Sequence, residues 1–145
     1  MQIIKAEQNM ANVLGDIEKC VYKNSDEWSG ETFFNDMAQN NRLYLVAKED
    51  DKLIGFVGAS YFMDEADILR VAILPEYQRK GVATQLMQEM IDCLKKLLVK
   101  KVMLEVEENN IKAQGLYKKV GFKEISKRKN YYKNGKTGLI YCLEI

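Results

Sequence analysis

The sequence predicts an α/β or α+β fold, a mixed sheet covered by helices, and three observations predict it. Residues 43–48, 53–62 and 68–74 are successive short tracts rich in Val, Ile, Leu and aromatics, the pattern of an antiparallel meander of three strands. Residues 85–98 then place Leu86, Met90, Cys93, Leu94 and Leu97 at helical spacing, one apolar stripe suited to packing on a sheet. Beyond that helix the chain alternates strand, helix, strand and strand, an order that implies a mixed sheet covered by helices.

Taken in order, residues 2–5 read as a short strand, and residues 10–23 and 30–39 as two helices. Glu49-Asp50-Asp51-Lys52 is a turn between the first two strands of the meander. Pro75, the only proline, stops the third strand because it has no N–H to give to a ladder. Residues 101–107 form another strand, and residues 111–120 a helix that Gly121 terminates as a C-cap. Residues 122–132 and 139–145 are the last strands. At 145 residues the chain has room for one hydrophobic core, and residues 1–145 read as one domain without repeat or linker.

Composition narrows the chemistry. With 47% hydrophobic and 30% charged residues the chain has the make-up of a soluble globule. Its start lacks the apolar run of a signal peptide, and no later tract approaches the roughly 20 apolar residues of a membrane span. Cys20, Cys93 and Cys142 form an odd set with no metal-like spacing, so a reducing cytoplasm is expected, with neither disulfides nor zinc. There is no histidine, which removes Ser-His-Asp triads, Cys-His dyads and His-based metal sites together. The net charge of +1 conceals nine Lys or Arg against the single acid Glu124 between residues 112 and 136. That stretch is a solvated basic face, or it meets a phosphate-rich cofactor or an RNA-bearing partner.

The most informative segment runs Ile73-Leu74-Pro75-Glu76-Tyr77-Gln78-Arg79-Lys80-Gly81-Val82-Ala83-Thr84. A strand stops, a turn follows, and a long helix begins at a glycine. Unpaired N–H groups at a helix start point outward together, and the helix dipole favours negative charge there, so a pyrophosphate can sit on them. Gly81 allows close backbone approach, Ala83 is small for the same reason, and Arg79 and Lys80 add positive charge. The spacing fits neither the Walker lysine motif nor the dinucleotide glycine pattern. Alone, it is also compatible with an ordinary strand-to-helix turn.

Gln78-x-x-Gly81-x-Ala83 resembles the element with which the GNAT superfamily binds the acetyl-CoA pyrophosphate. Trp28-Ser29 before Thr32-Phe33, Leu104-Glu105-Val106, Asn110, Leu116-Tyr117 with Gly121-Phe122, and Arg128-Lys129-Asn130-Tyr131-Tyr132 are similar to the RimI-type ribosomal-protein-alanine N-acetyltransferases. Leu74 departs from the acidic residue common in that family before the proline, and Ala83 replaces the commoner second glycine. The resemblance implies the GNAT fold, a mostly antiparallel sheet of about seven strands and about four helices with a splay between strands 4 and 5. It also implies that Val71, Ala72 and Ile73 offer backbone groups to the acetyl-pantetheine arm, that Arg79, Lys80, Gly81, Val82, Ala83 and Thr84 cradle the phosphates, and that Asn110 adds a cofactor contact. Acetyl-CoA is the implied cosubstrate, with no metal.

Acetyl transfer needs a neutral amine, a donor for the developing oxyanion, and a proton for the departing thiolate. An α-amine with a pKa of about 8 is roughly a tenth neutral at pH 7, whereas a lysine near 10.4 is below about 0.1% neutral. Glu105 is the candidate to receive the proton, directly or through a water. Strand alternation sets Met103, Glu105 and Glu107 on one face. Tyr117, by resemblance, protonates the thiolate. A wet or ion-paired glutamate and a capped core tyrosine are the structural alternatives.

By resemblance, Trp28 and Tyr131 of the Tyr131-Tyr132 pair wall the groove for a peptide N-terminus, and the leading acceptor is the N-terminal alanine of ribosomal protein S18. Lysine side chains and small-molecule amines are the alternative acceptors, and a non-catalytic acetyl-CoA-binding module is the alternative class. Cytoplasmic location is expected, without membrane association or direct nucleic-acid binding.

Overall fold

Seven strand tracts and four helical tracts give a layered α/β protein. The computed structural model describes residues 1–22, 27–131 and 135–145. Its strands are β1 (Gln2–Lys5), β2 (Arg42–Glu49), β3 (Lys52–Phe62), β4 (Glu65–Ile73), β5 (Lys101–Glu107), β6 (Lys123–Arg128) and β7 (Gly138–Glu144). Its helices are α1 (Ala11–Val21), α2 (Gly30–Met37), α3 (Val82–Lys96) and α4 (Ile111–Val120). The strands make one sheet in the order β1-β2-β3-β4-β5-β7-β6. Only the β4/β5 pair is parallel, so the expected mixed, mostly antiparallel sheet of seven strands with four helices is the fold.

The core follows from these periods. Residues 43–47 of β2 and 54–59 of β3 are buried without interruption, as strands covered on both faces must be. α3 directs Leu86, Met87, Met90, Ile91 and Leu94 inward, and α1 directs Leu14 and Ile17. Among the described residues no helix is long and apolar enough to cross a membrane.

Differences from the sequence reading concern element ends, where local signals are weakest. The first helix is preceded by a 3-10 turn at Gln8–Met10, and Lys23, its expected end, lies outside the described residues. α3 begins at Val82 directly after its left-handed N-cap Gly81 (φ 81°), as the glycine implied, and ends at Lys96 rather than Leu98. β6 spans only Lys123–Arg128; Phe122 instead is buried beside the left-handed C-cap Gly121, and Tyr132 lies outside the described residues. β4 begins three residues before the expected Ile68. The acids Glu65 and Asp67 break its apolar pattern, yet these residues make its only pairing to β5.

Candidate active site

The site is created where β4 and β5 part. They pair at Glu65, Ala66 and Asp67 with Lys101, Val102 and Met103, and no further. Against β3, Gly58 pairs with Arg70 and Ala59 with Ile68, so Leu69 is an inserted residue. Such a bulge bends its strand and increases its twist, and β4 leaves β5 at this point. Beyond it a cavity of about 820 Å³ opens, lined by residues 68–73 of β4, 104–107 of β5, the turn before α3, and α4. The splay between the fourth and fifth strands is therefore present.

Backbone polarity in this gap follows from strand alternation. In an antiparallel ladder the N–H and C=O of one residue point to the same edge. The Val71 carbonyl accepts the Tyr22 hydroxyl at 3.0 Å, and the Ile73 carbonyl accepts Nε2 of Gln78 at 2.9 Å. Both residues thus turn their backbone groups away from β3, which leaves the N–H groups of Val71 and Ile73 facing the gap.

The turn after Pro75 bends through two left-handed residues, Arg79 (φ 62°) and Gly81 (φ 81°). A Cβ on Gly81 would meet nothing within 4 Å, so the space in front of it is open. No side chain caps α3, and the first N–H groups of a helix have no partner within it. Gly81, Val82, Ala83 and Thr84 all line the cavity, as do Arg79, Lys112 and Lys119. This arrangement of uncapped donors, open space and cations fits a pyrophosphate. Lys80 does not line the cavity; its ammonium lies 5.7 Å from the Tyr77 ring centroid. Gln78 is a strut, donating to Ile73 and accepting from Lys112 Nζ at 2.9 Å. Asn110 lines the cavity and caps α4 through its Oδ1, which accepts the Ala113 N–H at 3.2 Å.

Glu105 of β5 and Tyr117 of α4 line the same cavity. Glu105 Oε1 is buried and has no hydrogen-bond partner among the described residues. Arg128 Nε approaches it to 3.4 Å, a charge contact without hydrogen-bond geometry. Tyr117 is buried, its ring edge-on to Phe122 and Tyr141. Burial pushes its phenol well above the usual tyrosine pKa, with the neighbouring Tyr22 adding to the rise and Arg70 opposing it. The phenol is accordingly a neutral donor throughout the physiological range. Among the described residues the three cysteines stay off the cavity wall, and burial raises the Cys93 thiol, keeping it protonated.

Sequence reasoning missed the residues at the far end of the cavity. Tyr22 and Arg70 line it, and Arg70 forks onto Glu18, a carboxylate with no solvent exposure. No sequence signal links positions 52 residues apart. Trp28 stands behind this pair, its ring 5.2 Å from that of Phe33 and its backbone N–H donating to Glu18 Oε2 at 3.1 Å. Tyr131 lies outside the cavity, 54% exposed, with the Arg128 guanidinium 4.9 Å from its ring centroid.

A parallel strand pair split by a bulge, with a glycine-started helix closing one end of the gap, frames the site. The acetyltransferase (GNAT) family profile matches residues 10–122, and the chain belongs to that family. It is 35% identical over 130 residues to the ribosomal protein bS18-alanine N-acetyltransferase of Haemophilus influenzae, covering 83% of this chain and 88% of that protein. It is 35% identical over 105 residues to the Salmonella typhimurium protein of the same name, covering 72% and 70%. The crystal structure of the ribosomal-protein-S18-alanine N-acetyltransferase from Escherichia coli superposes with a TM-score of 0.90 at 30% identity, covering 99% of this chain and 93% of that one.

Proposed function

We propose that this protein transfers the acetyl group of acetyl-CoA directly to the N-terminal α-amine of a protein that begins with alanine, ribosomal protein S18 being the leading acceptor, in the cytoplasm. The observation that carries the reading is one cavity holding uncapped helix donors at one end and Glu105 and Tyr117 between β4, β5 and α4. The named relatives supply the acceptor class.

Acetyl-CoA supplies an acyl carbon activated as a thioester. The α3 N-terminus, with Arg79 and Lys112 nearby, holds its phosphates. The N–H groups of Val71 and Ile73 face the gap, and one of them donates to the carbonyl oxygen as negative charge develops there, a contact of about 3 kcal/mol. Glu105 takes the proton released as the amine attacks, and its oxygen without a hydrogen-bond partner is available for that proton. Tyr117 donates its hydroxyl hydrogen toward the departing sulfur, a hydrogen bond that burial keeps protonated.

The test is release of CoA thiol with three acceptors: a peptide starting with free alanine, the same peptide N-blocked but bearing a lysine, and a polyamine. Preferential turnover of the free-alanine peptide is expected. Preference for the lysine peptide or the polyamine, or cofactor binding with no thiol release, would overturn the reading.

A further inference from the structure

We infer that Arg70, held by Glu18, is a positioning residue for the acceptor half of the cleft, so that acceptor binding depends on this pair while cofactor binding does not. The inference rests on the proposed reading that an amine enters opposite the phosphate cradle, and it assigns the residue that shapes that entrance.

Four observations converge on Arg70. It is the first β4 residue past the bulge at Leu69 and lines the cavity there. Its Nε and Nη2 meet the two oxygens of Glu18 at 3.1 and 2.6 Å, a planar fork that fixes the guanidinium in angle as well as distance. The guanidinium carbon lies 5.0 Å from the Tyr22 ring centroid and 5.2 Å from that of Trp28. The two residues fastened to it are themselves anchored, Trp28 through its backbone N–H to Glu18 and Tyr22 through its hydroxyl to the Val71 carbonyl.

One ion pair therefore joins α1, the residues on both sides of the α1-to-α2 connection, and the β4 segment whose N–H groups face the reacting carbonyl. None of these contacts reaches the α3 N-terminus. A pair that served stability alone would be replaceable by packed apolar groups. This one is placed where a displaced guanidinium moves Tyr22 and Trp28 together.

Trp28 is the only tryptophan, so its emission reports this wall without turnover. The experiment measures acceptor and acetyl-CoA KM, kcat, CoA affinity by calorimetry, and Trp28 emission titrated with the free-alanine peptide in the presence of CoA. The variants are Arg70→Lys, which keeps the charge and loses the fork, and Glu18→Gln, which keeps shape and serves if Arg70→Lys does not fold. A rise of about tenfold in peptide KM, matched in the Trp28 titration, is expected for either, with kcat and CoA affinity within about twofold. Peptide KM unchanged while the melting temperature falls, or equal losses for peptide and CoA, would overturn the role of Arg70. Wild-type protein that releases no thiol with any acceptor would instead overturn the reading beneath it.

Discussion

Glu105 and Arg128, on strands separated by β7, meet at 3.4 Å because Gly138 between them has no side chain. Gly138 pairs with Glu107 on one edge and Arg128 on the other, and a Cβ there would sit 3.2 Å from the Glu105 Cδ and Oε1. The glycine leaves a lane over the sheet in which the carboxylate lies flat, partly shielded from water and near a cation that stops short of a hydrogen bond.

Glu105→Gln keeps this shape and removes the proposed proton acceptor. A general base contributes typically 10²- to 10⁴-fold, so kcat at neutral pH is expected to fall within that range, with CoA affinity unchanged. The deficit persists above the acceptor's own pKa of about 8, because a neutral amine still releases a proton as it attacks. Steady-state rates over pH check this, and a deficit that vanishes once the amine is neutral would contradict that role.

Gly138→Ala puts a methyl group closer to the carboxylate than most real contacts allow. The side chain of Glu105 must give way, and kcat is expected to fall about tenfold through misplacement of the base. CoA affinity, set at the other end of the cavity, stays constant. Kinetics alongside calorimetry separate the two effects.

Tyr117→Phe removes a donor that burial holds protonated. Loss of about 10²-fold in kcat is expected, with little change in CoA binding. Because the phenol titrates well above its ordinary value near 10, the wild-type rate should show no decline near pH 10 that disappears in the variant. Paired pH profiles supply the comparison.

Arg70→Met leaves the wholly buried Glu18 carboxylate without its cation, a loss of about 3–5 kcal/mol. Changing both residues to apolar ones is expected to recover most of it. Urea denaturation midpoints of the two variants and the wild type measure the difference.

What could be read in the sequence, and what could not, divides along the same cleft. From Ile68 to Thr84 the signals are local: an apolar run, one proline, a glycine, then a helical stripe, all within one turn of chain. The strand on one side of the gap, and the helix that begins at its end, follow from them. The opening itself depends on Leu69 being an inserted residue and on pairing confined to Glu65–Asp67, and acidic residues hide that register from periodicity. The acceptor end rests on Glu18 meeting Arg70 and Tyr22 meeting Val71, contacts across 52 and 49 residues. No spacing rule reaches that far. The basic stretch divides in three dimensions: Lys112 and Lys119 line the cavity, while all six residues of β6 are exposed, so a single charge run serves two surroundings.

The central claim is that the opening between β4 and β5 holds CoA on the N-terminus of α3, and titration calorimetry with CoA tests it most directly. Gly81 is left-handed with open space before it, so Gly81→Val adds a branched side chain to the cradle along with about 1–2 kcal/mol of backbone strain. One CoA per chain with the wild type, and binding at least about tenfold weaker in a variant whose far-ultraviolet dichroism is unchanged, is the expected result. No heat with the wild type, or equal affinity in the two proteins, would contradict it.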